Sequence, residues 1–205
     1  MQSIGLTGGI ATGKSSVADL LKRMDVPVLN ADEVAHRALE TGTDTFMLVI
    51  QSFGKDILDF NGEIDRRKLG RIVFNNPEAR HRLEAIIHPT VIREIQTRLK
   101  QAADGCIKLM AVEVPLLFEA GMEDQFDYIW VVSAPTHAQL KRLQERDGLS
   151  KVEAQARVDS QWPLALKEAK ADAVIQNSGN LQDLEIQVSK LLQNLGWTVG
   201  AGNRN

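Results

Sequence analysis

The chain has 205 residues, 43% hydrophobic and 25% charged, with a formal net charge of −3. This suits a globular α/β domain with insertions that buries its core without metals or disulfides. The acidic balance argues against a sequence-nonspecific nucleic-acid binder, which carries a basic excess. The single cysteine, Cys106, has no partner for an internal disulfide and fits a reducing compartment. Its place just before an apolar run predicts a core or near-core thiol. The longest apolar runs, near 109–118 and 128–132, are too short to span a bilayer. The first residues lack the basic stretch and long apolar segment of a signal peptide, so a cytoplasmic location and no membrane partner are expected.

In chain order, residues 2–7 predict a short buried strand ending in a glycine-rich turn. From Ser15 to Met24, the apolar Val17, Leu20 and Leu21 recur at helical spacing. Val26–Leu29 is a second strand candidate, entered through Pro27. Residues 32–104 carry mostly helical patterns broken at Gly42, Gly54, Gly62 and Pro77, with a helix over 79–87 expected to stop before Pro89. Ile107–Val114 is apolar with few charges, as a strand covered on both faces should be. Tyr128–Val132 and Ala173–Ile175 are two further strands, and Trp130 reads as core. Thr136–Arg146 and Lys151–Gln161 predict helices around a turn at Asp147-Gly148. Leu181–Leu195 predicts a terminal amphipathic helix, and 201–205 a disordered tail. Strands alternating with helices imply βαβ units and a parallel sheet, here of five strands. The stretch between the second and third strands exceeds a crossover and predicts an inserted subdomain.

The strongest motif is Gly8-Gly9-Ile10-Ala11-Thr12-Gly13-Lys14-Ser15, which meets G-x-x-x-x-G-K-[ST] at every fixed position, with an apolar strand before it and a helix after it. Glycines at 8 and 13 permit backbone conformations that a side chain would block. Successive amides then point inward around a polyphosphate, helped by the positive end of the helix that begins near Ser15 and Ser16. Lys14 is placed for the β- and γ-phosphates and Ser15 for Mg²⁺, so ATP and Mg²⁺ are the expected cofactors.

A phosphate loop does not by itself name the reaction. A GTPase switch wants N-K-x-D, which is absent; Asp59-Phe60-Asn61-Gly62 matches D-x-x-G but lacks a preceding apolar strand and reads as a turn. A motor normally occupies a longer chain. The remaining classes are a small-molecule kinase, nucleoside monophosphates included, and a nucleotide-dependent binding module without a transfer step. Asp32 ends the second strand segment Asn30-Ala31-Asp32, where a carboxylate can take the proton of an attacking hydroxyl, approach Mg²⁺ through water, or cap the following helix. Glu113 closes the third strand either as an acidic metal-side residue or as a polar strand end. His36, His81 and His137 do not cluster with cysteines or carboxylates at ligand spacing, so no structural zinc is expected.

Gly5-Leu6-Thr7-Gly8-Gly9-Ile10, Asn30-Ala31-Asp32, His88-Pro89, Pro115-Leu116-Leu117-Phe118-Glu119, Gln139 with Arg142 and Arg146, Gln161, and Ala171-Asp172 before Ile175 and Asn177 occur in this order. The ordered set resembles the dephospho-CoA kinase family. The resemblance implies a three-layer P-loop nucleotide-kinase fold. The core would comprise 1–30, 105–136 and 162–200, the helical acceptor subdomain 31–104 and the lid 137–161. It implies transfer of the ATP γ-phosphoryl group to the ribose 3′-hydroxyl of 3′-dephospho-CoA. Asp32 would then be the general base, Arg142 and Arg146 would approach phosphate oxygens from the lid, and Asn177 would contact the adenine side of ATP. His88, Leu117 and Glu119 would belong to the acceptor side. Two positions depart from the family: Ala11 usually has glycine there, and Asn30 aspartate. Ala11 is expected at negative φ, where alanine is tolerated.

Overall fold

The structure, a computed structural model, describes residues 1–74 and 76–197; the predicted tail lies outside them. Strands β1 (Gln2–Gly8), β2 (Val28–Asn30), β3 (Leu109–Glu113), β4 (Tyr128–Ser133) and β5 (Ala173–Gln176) make a parallel sheet in the order β2-β3-β1-β4-β5. Helices are α1 (Lys14–Arg23), α2 (Ala31–Ala38), α3 (Asp44–Phe53), α4 (Arg66–Phe74), α5 (Pro77–Asp104), α6 (Thr136–Asp147), α7 (Lys151–Asp159), α8 (Leu164–Ala169) and α9 (Leu181–Asn194). The chain divides into two compact units, Met1–Asn30 with Leu99–Asn205, and Ala31–Arg98.

In the first unit, strand alternation sorts side chains between two faces. Ile4, Leu6, Leu109, Ala111, Trp130, Val132 and Ile175 share one cluster with Val17, Leu20 and Leu21 of α1 and Leu184, Val188 and Leu192 of α9. Burying each large member completely, as for Leu20, stabilises by about 1.5–3 kcal/mol. Gly5 points the other way, its Cα facing Leu117 and Phe126 so closely that a Cβ would meet both at 2.7 Å. Trp197 closes the α1–α9 side and donates from Nε1 to the carbonyl of Met24 (2.9 Å). Asp172 and Ile129 exchange hydrogen bonds, the Asp172 carboxylate accepting from the Ile129 amide (2.7 Å), which sets β5 against β4. Register puts Leu6 opposite Glu113 and Glu113 opposite Asn30, so β2 and β3 end level while β1 continues past them to Gly8.

In the second unit, Val49, Ile57 and Leu69 are buried among Leu39, Phe53, Leu58, Ile64, Leu83 and Ile86. The segment Asp59–Gly62 is a turn: Asp59 Oδ1 accepts from the amides of Asn61 (2.9 Å) and Glu63 (3.0 Å). Arg66, Arg67, Lys68 and Arg71 are exposed on α4 while Leu69 turns inward.

Three expectations need correcting. The helix expected to end before Pro89 runs on to Asp104. Proline removes one amide and crowds the carbonyl four residues back, at a cost of about 3 kcal/mol. Burial of Val91 and Ile95 beyond it offsets that cost. Cys106 is exposed. It sits at φ 60° in the reversal after α5, and the buried strand begins only at Leu109. Finally, α8 fills a stretch for which no helix was predicted.

Candidate active site

β1 delivers the phosphate-loop motif just beyond the carboxyl ends of β2 and β3, and α1 starts from it. Gly8 (φ 153°) and Gly13 (φ 97°) sit where L-side chains rarely do; a Cβ would collide with the Val132 carbonyl at the first and with Asn177 Nδ2 at the second. Gly13 caps α1 without a side-chain hydrogen bond, and the first turn carries no acidic residue. Such a helix start is built for an anion. The loop is tightened from within at the Gly9 carbonyl, which accepts from Thr12 Oγ1 (2.9 Å) and Lys14 Nζ (3.0 Å).

Ala11 has φ 56°, not the negative value expected. The loop must turn sharply here, and the motif's free position fell on a left-handed backbone. The Arg142 guanidinium, from α6, donates to the carbonyls of Ala11 (3.0 Å) and Thr12 (3.2 Å). Asn177, buried just after β5, donates to Thr12 O (2.7 Å). Gln161 Oε1 accepts from the Ile10 amide (2.7 Å).

Ala11, Gly13, Lys14, Ser15, Ser16, Arg142, Glu145 and Arg146 line a cavity of about 610 Å³. Three cations against one carboxylate make it suitable for a polyphosphate. A second hollow of about 220 Å³, lined by Gly13, Ser16, Arg142, Asn177, Gly179, Leu181 and Leu184, shares the loop residues. Arg146 forms a fork with Asp147 (Nε–Oδ1 2.8 Å, Nη2–Oδ2 2.9 Å). That pairing raises the Arg146 pKa and holds the Asp147 carboxyl below its usual range, with Arg157 adding to the second effect. Glu113, buried at the end of β3, accepts from Ser15 Oγ at 3.4 Å. A seryl oxygen beside a buried carboxylate is a hard-oxygen pair of the kind Mg²⁺ accepts alongside phosphates and water.

The structure thus brings Arg142, Arg146 and Asn177 together around the predicted loop residues Gly8 to Ser16. Leu117 is completely buried over Gly5. Glu119 Oε1 pairs with the buried Lys167 ammonium (2.7 Å) and accepts from the Trp162 amide (3.0 Å). In the second unit, Asp32 is exposed in the first turn of α2, two residues beyond Asn30 in the chain, and His88 is half-buried on α5. Glu145 and Gly179 were not foreseen, although Arg142, Glu145 and Arg146 have the i, i+3, i+4 spacing of one helix face. Gln161 was noted in the sequence without a role.

Residues 2–183 match the family model described as dephospho-CoA kinase. A dephospho-CoA kinase of Geobacillus kaustophilus is 43% identical over 191 residues, 93% of this chain and 95% of that protein. The solved structure of TT1252 from Thermus thermophilus superposes with a TM-score of 0.79 at 36% identity, covering 95% of this chain and 97% of that one. A dephospho-CoA kinase from Campylobacter jejuni gives 0.72 at 32% identity, with 95% and 98% covered. On the match of the family model over nearly its whole length, this chain belongs to the dephospho-CoA kinase family, ATP-using kinases with a P-loop α/β fold.

Proposed function

We propose that the chain transfers the γ-phosphoryl group of ATP to the ribose 3′-hydroxyl of 3′-dephospho-CoA, releasing CoA and ADP in the cytoplasm. The observation that carries this reading is the cationic cavity at the phosphate loop, in a chain that matches the family model over residues 2–183. On this reading the loop amides of residues 8–15 cradle the phosphates, Lys14 leaves the Gly9 carbonyl for them, and Arg142 and Arg146 face the oxygens of the group in transit. The adenine side occupies the smaller hollow beside Asn177. Ser15, with Glu113 behind it, would hold Mg²⁺, which when bound neutralises phosphate charge and fixes its geometry.

Asp32 accepts the proton of the attacking hydroxyl; its place just past the end of β2 supports the role. Residues 31–104 receive the acceptor, with His88 on that side, and 137–161 act as the lid. Leu117 and Glu119 serve the acceptor side through the loop they anchor, since their side chains are engaged within the protein. The catalytic work is positioning and charge neutralisation, with one proton moved from hydroxyl to carboxylate.

The test is an ADP-release assay with ATP and Mg²⁺ against 3′-dephospho-CoA and a panel of nucleoside monophosphates. Preferential turnover of dephospho-CoA is expected; a preferred monophosphate would overturn the acceptor assignment, and no ADP with any acceptor would leave a binding module instead. Lys14→Ala and Asp32→Ala should each lose on the order of 10²-fold or more of transfer, Asp32→Ala with ATP affinity retained. Full turnover by Asp32→Ala would remove the base.

A further inference from the structure

The two hydrogen bonds that bracket Ala11 come from different segments of the chain, one from α6 and one from the stretch after α7. Arg142 holds the Ala11 carbonyl, and Gln161 holds the amide of Ile10, the residue before it. The amide entering Ile10 and the carbonyl leaving Ala11 are therefore both held, and the two-residue span between these fixed points adopts the arrangement in which Ala11 has φ 56°. An alanine resists that conformation because its Cβ crowds the carbonyl that follows. Without a pin it relaxes toward negative φ and turns the neighbouring amides away.

Gln161 is itself well fixed, by the residue next to it. The Trp162 amide donates to Glu119 Oε1 (3.0 Å), the same oxygen that pairs with the completely buried Lys167 (2.7 Å). The Trp162 ring stacks on Phe118, with centroids 6.3 Å apart and planes 10° from parallel. The segment after α7 is thus anchored to the loop after β3, and from there Gln161 reaches a loop 151 residues earlier in the chain.

We infer that Gln161 is a positioning residue for nucleotide binding: it holds Ile10 so that Ala11 stays at positive φ and the loop amides are oriented before ATP arrives. This rests on the reading of the loop as the ATP site. The side chain acts through the backbone of the loop and touches no phosphate.

The experiment is calorimetric binding of adenylyl imidodiphosphate with Mg²⁺ to four proteins: the natural chain, Gln161→Met, Ala11→Gly and the double variant. Methionine keeps the volume of glutamine and removes its strong acceptor. Gln161→Met should weaken binding by roughly tenfold in the alanine background, the effect of one lost hydrogen bond. With glycine at 11 the unpinned conformation carries no strain, so the same change should cost less than about threefold. KM for ATP should rise while kcat stays within about twofold. In the ligand-free protein, exchange of the Ile10 amide should quicken about tenfold in Gln161→Met, an effect that a general loosening seen as a lower unfolding midpoint would spread over the whole chain. Unchanged or tighter binding by Gln161→Met, or an equal loss in both backgrounds, overturns the inference. Failure of the natural chain to bind the analogue would instead sink the ATP-site reading on which it rests.

Discussion

Ala11 shows what one side-chain carbon does to a phosphate loop. At φ 56° its Cβ costs about 1–2 kcal/mol. Glycine would remove that strain and give back about 0.5–1 kcal/mol through the entropy of the unfolded chain. Ala11→Gly should therefore raise unfolding free energy in urea by about 0.5–1 kcal/mol, net; a loss of stability would mean the backbone there is not strained. The motif made Lys14 and Ser15 legible, because their chemistry is tied to fixed positions. It left position 11 open, so the sign of its φ could not be read. Arg142 and Arg146 were expected beside the loop from the family resemblance, and both line its cavity. Their present partners, the Ala11 and Thr12 carbonyls and Asp147, were not, since hydrogen-bond partners follow from tertiary placement. The role of Gln161, which the sequence showed only as part of the family resemblance, was hidden for the same reason: nothing local marks a partner that lies 151 residues away.

At the scale of elements, the strands were easiest to find, because buried parallel strands are nearly continuous apolar runs such as Leu109–Val112. Helices were harder where tertiary packing overrode a local rule. Pro89 should stop a helix, but the buried Val91 and Ile95 carry α5 past it. The six residues of α8 are too few to show a period, so only the structure reveals it. The start of α7 was readable in principle as a capping box, with Ser150 and Glu153 each bonding the other's amide. Ser150→Ala should cost about 1 kcal/mol, seen as loss of α7 helicity in carbon chemical shifts. The bonds from Ser150 hold the Glu153 carboxyl below its ordinary value. A depressed carboxylate contributes stability that is complete above its unfolded pKa and disappears as pH falls through its folded one. The α7 shifts should thus stay constant from neutrality to about pH 5 and drift toward coil below about pH 4. Asp147, depressed by Arg146, adds to the change in the same direction. An α7 that is equally helical at about pH 3 would contradict the cap.

For the molecule as a whole, stability centres on the sheet face covered by α1 and α9, which Trp197 closes. Trp197→Ala should lower unfolding free energy by about 3–5 kcal/mol. Trp197→Phe keeps most of the packing but strands the Met24 carbonyl, for a loss of about 1–3 kcal/mol. A urea midpoint indifferent to both changes would show that this ring contributes nothing to the core. The strand order has a consequence for how the protein is made. β1 neighbours β3 and β4, and β2 neighbours β3, so neither early strand has a mate until residue 109 has been synthesised. While the ribosome works through the first hundred residues, two apolar ribbons wait unpaired, and the intervening unit Ala31–Arg98, which has a hydrophobic cluster of its own, can pack before the sheet begins.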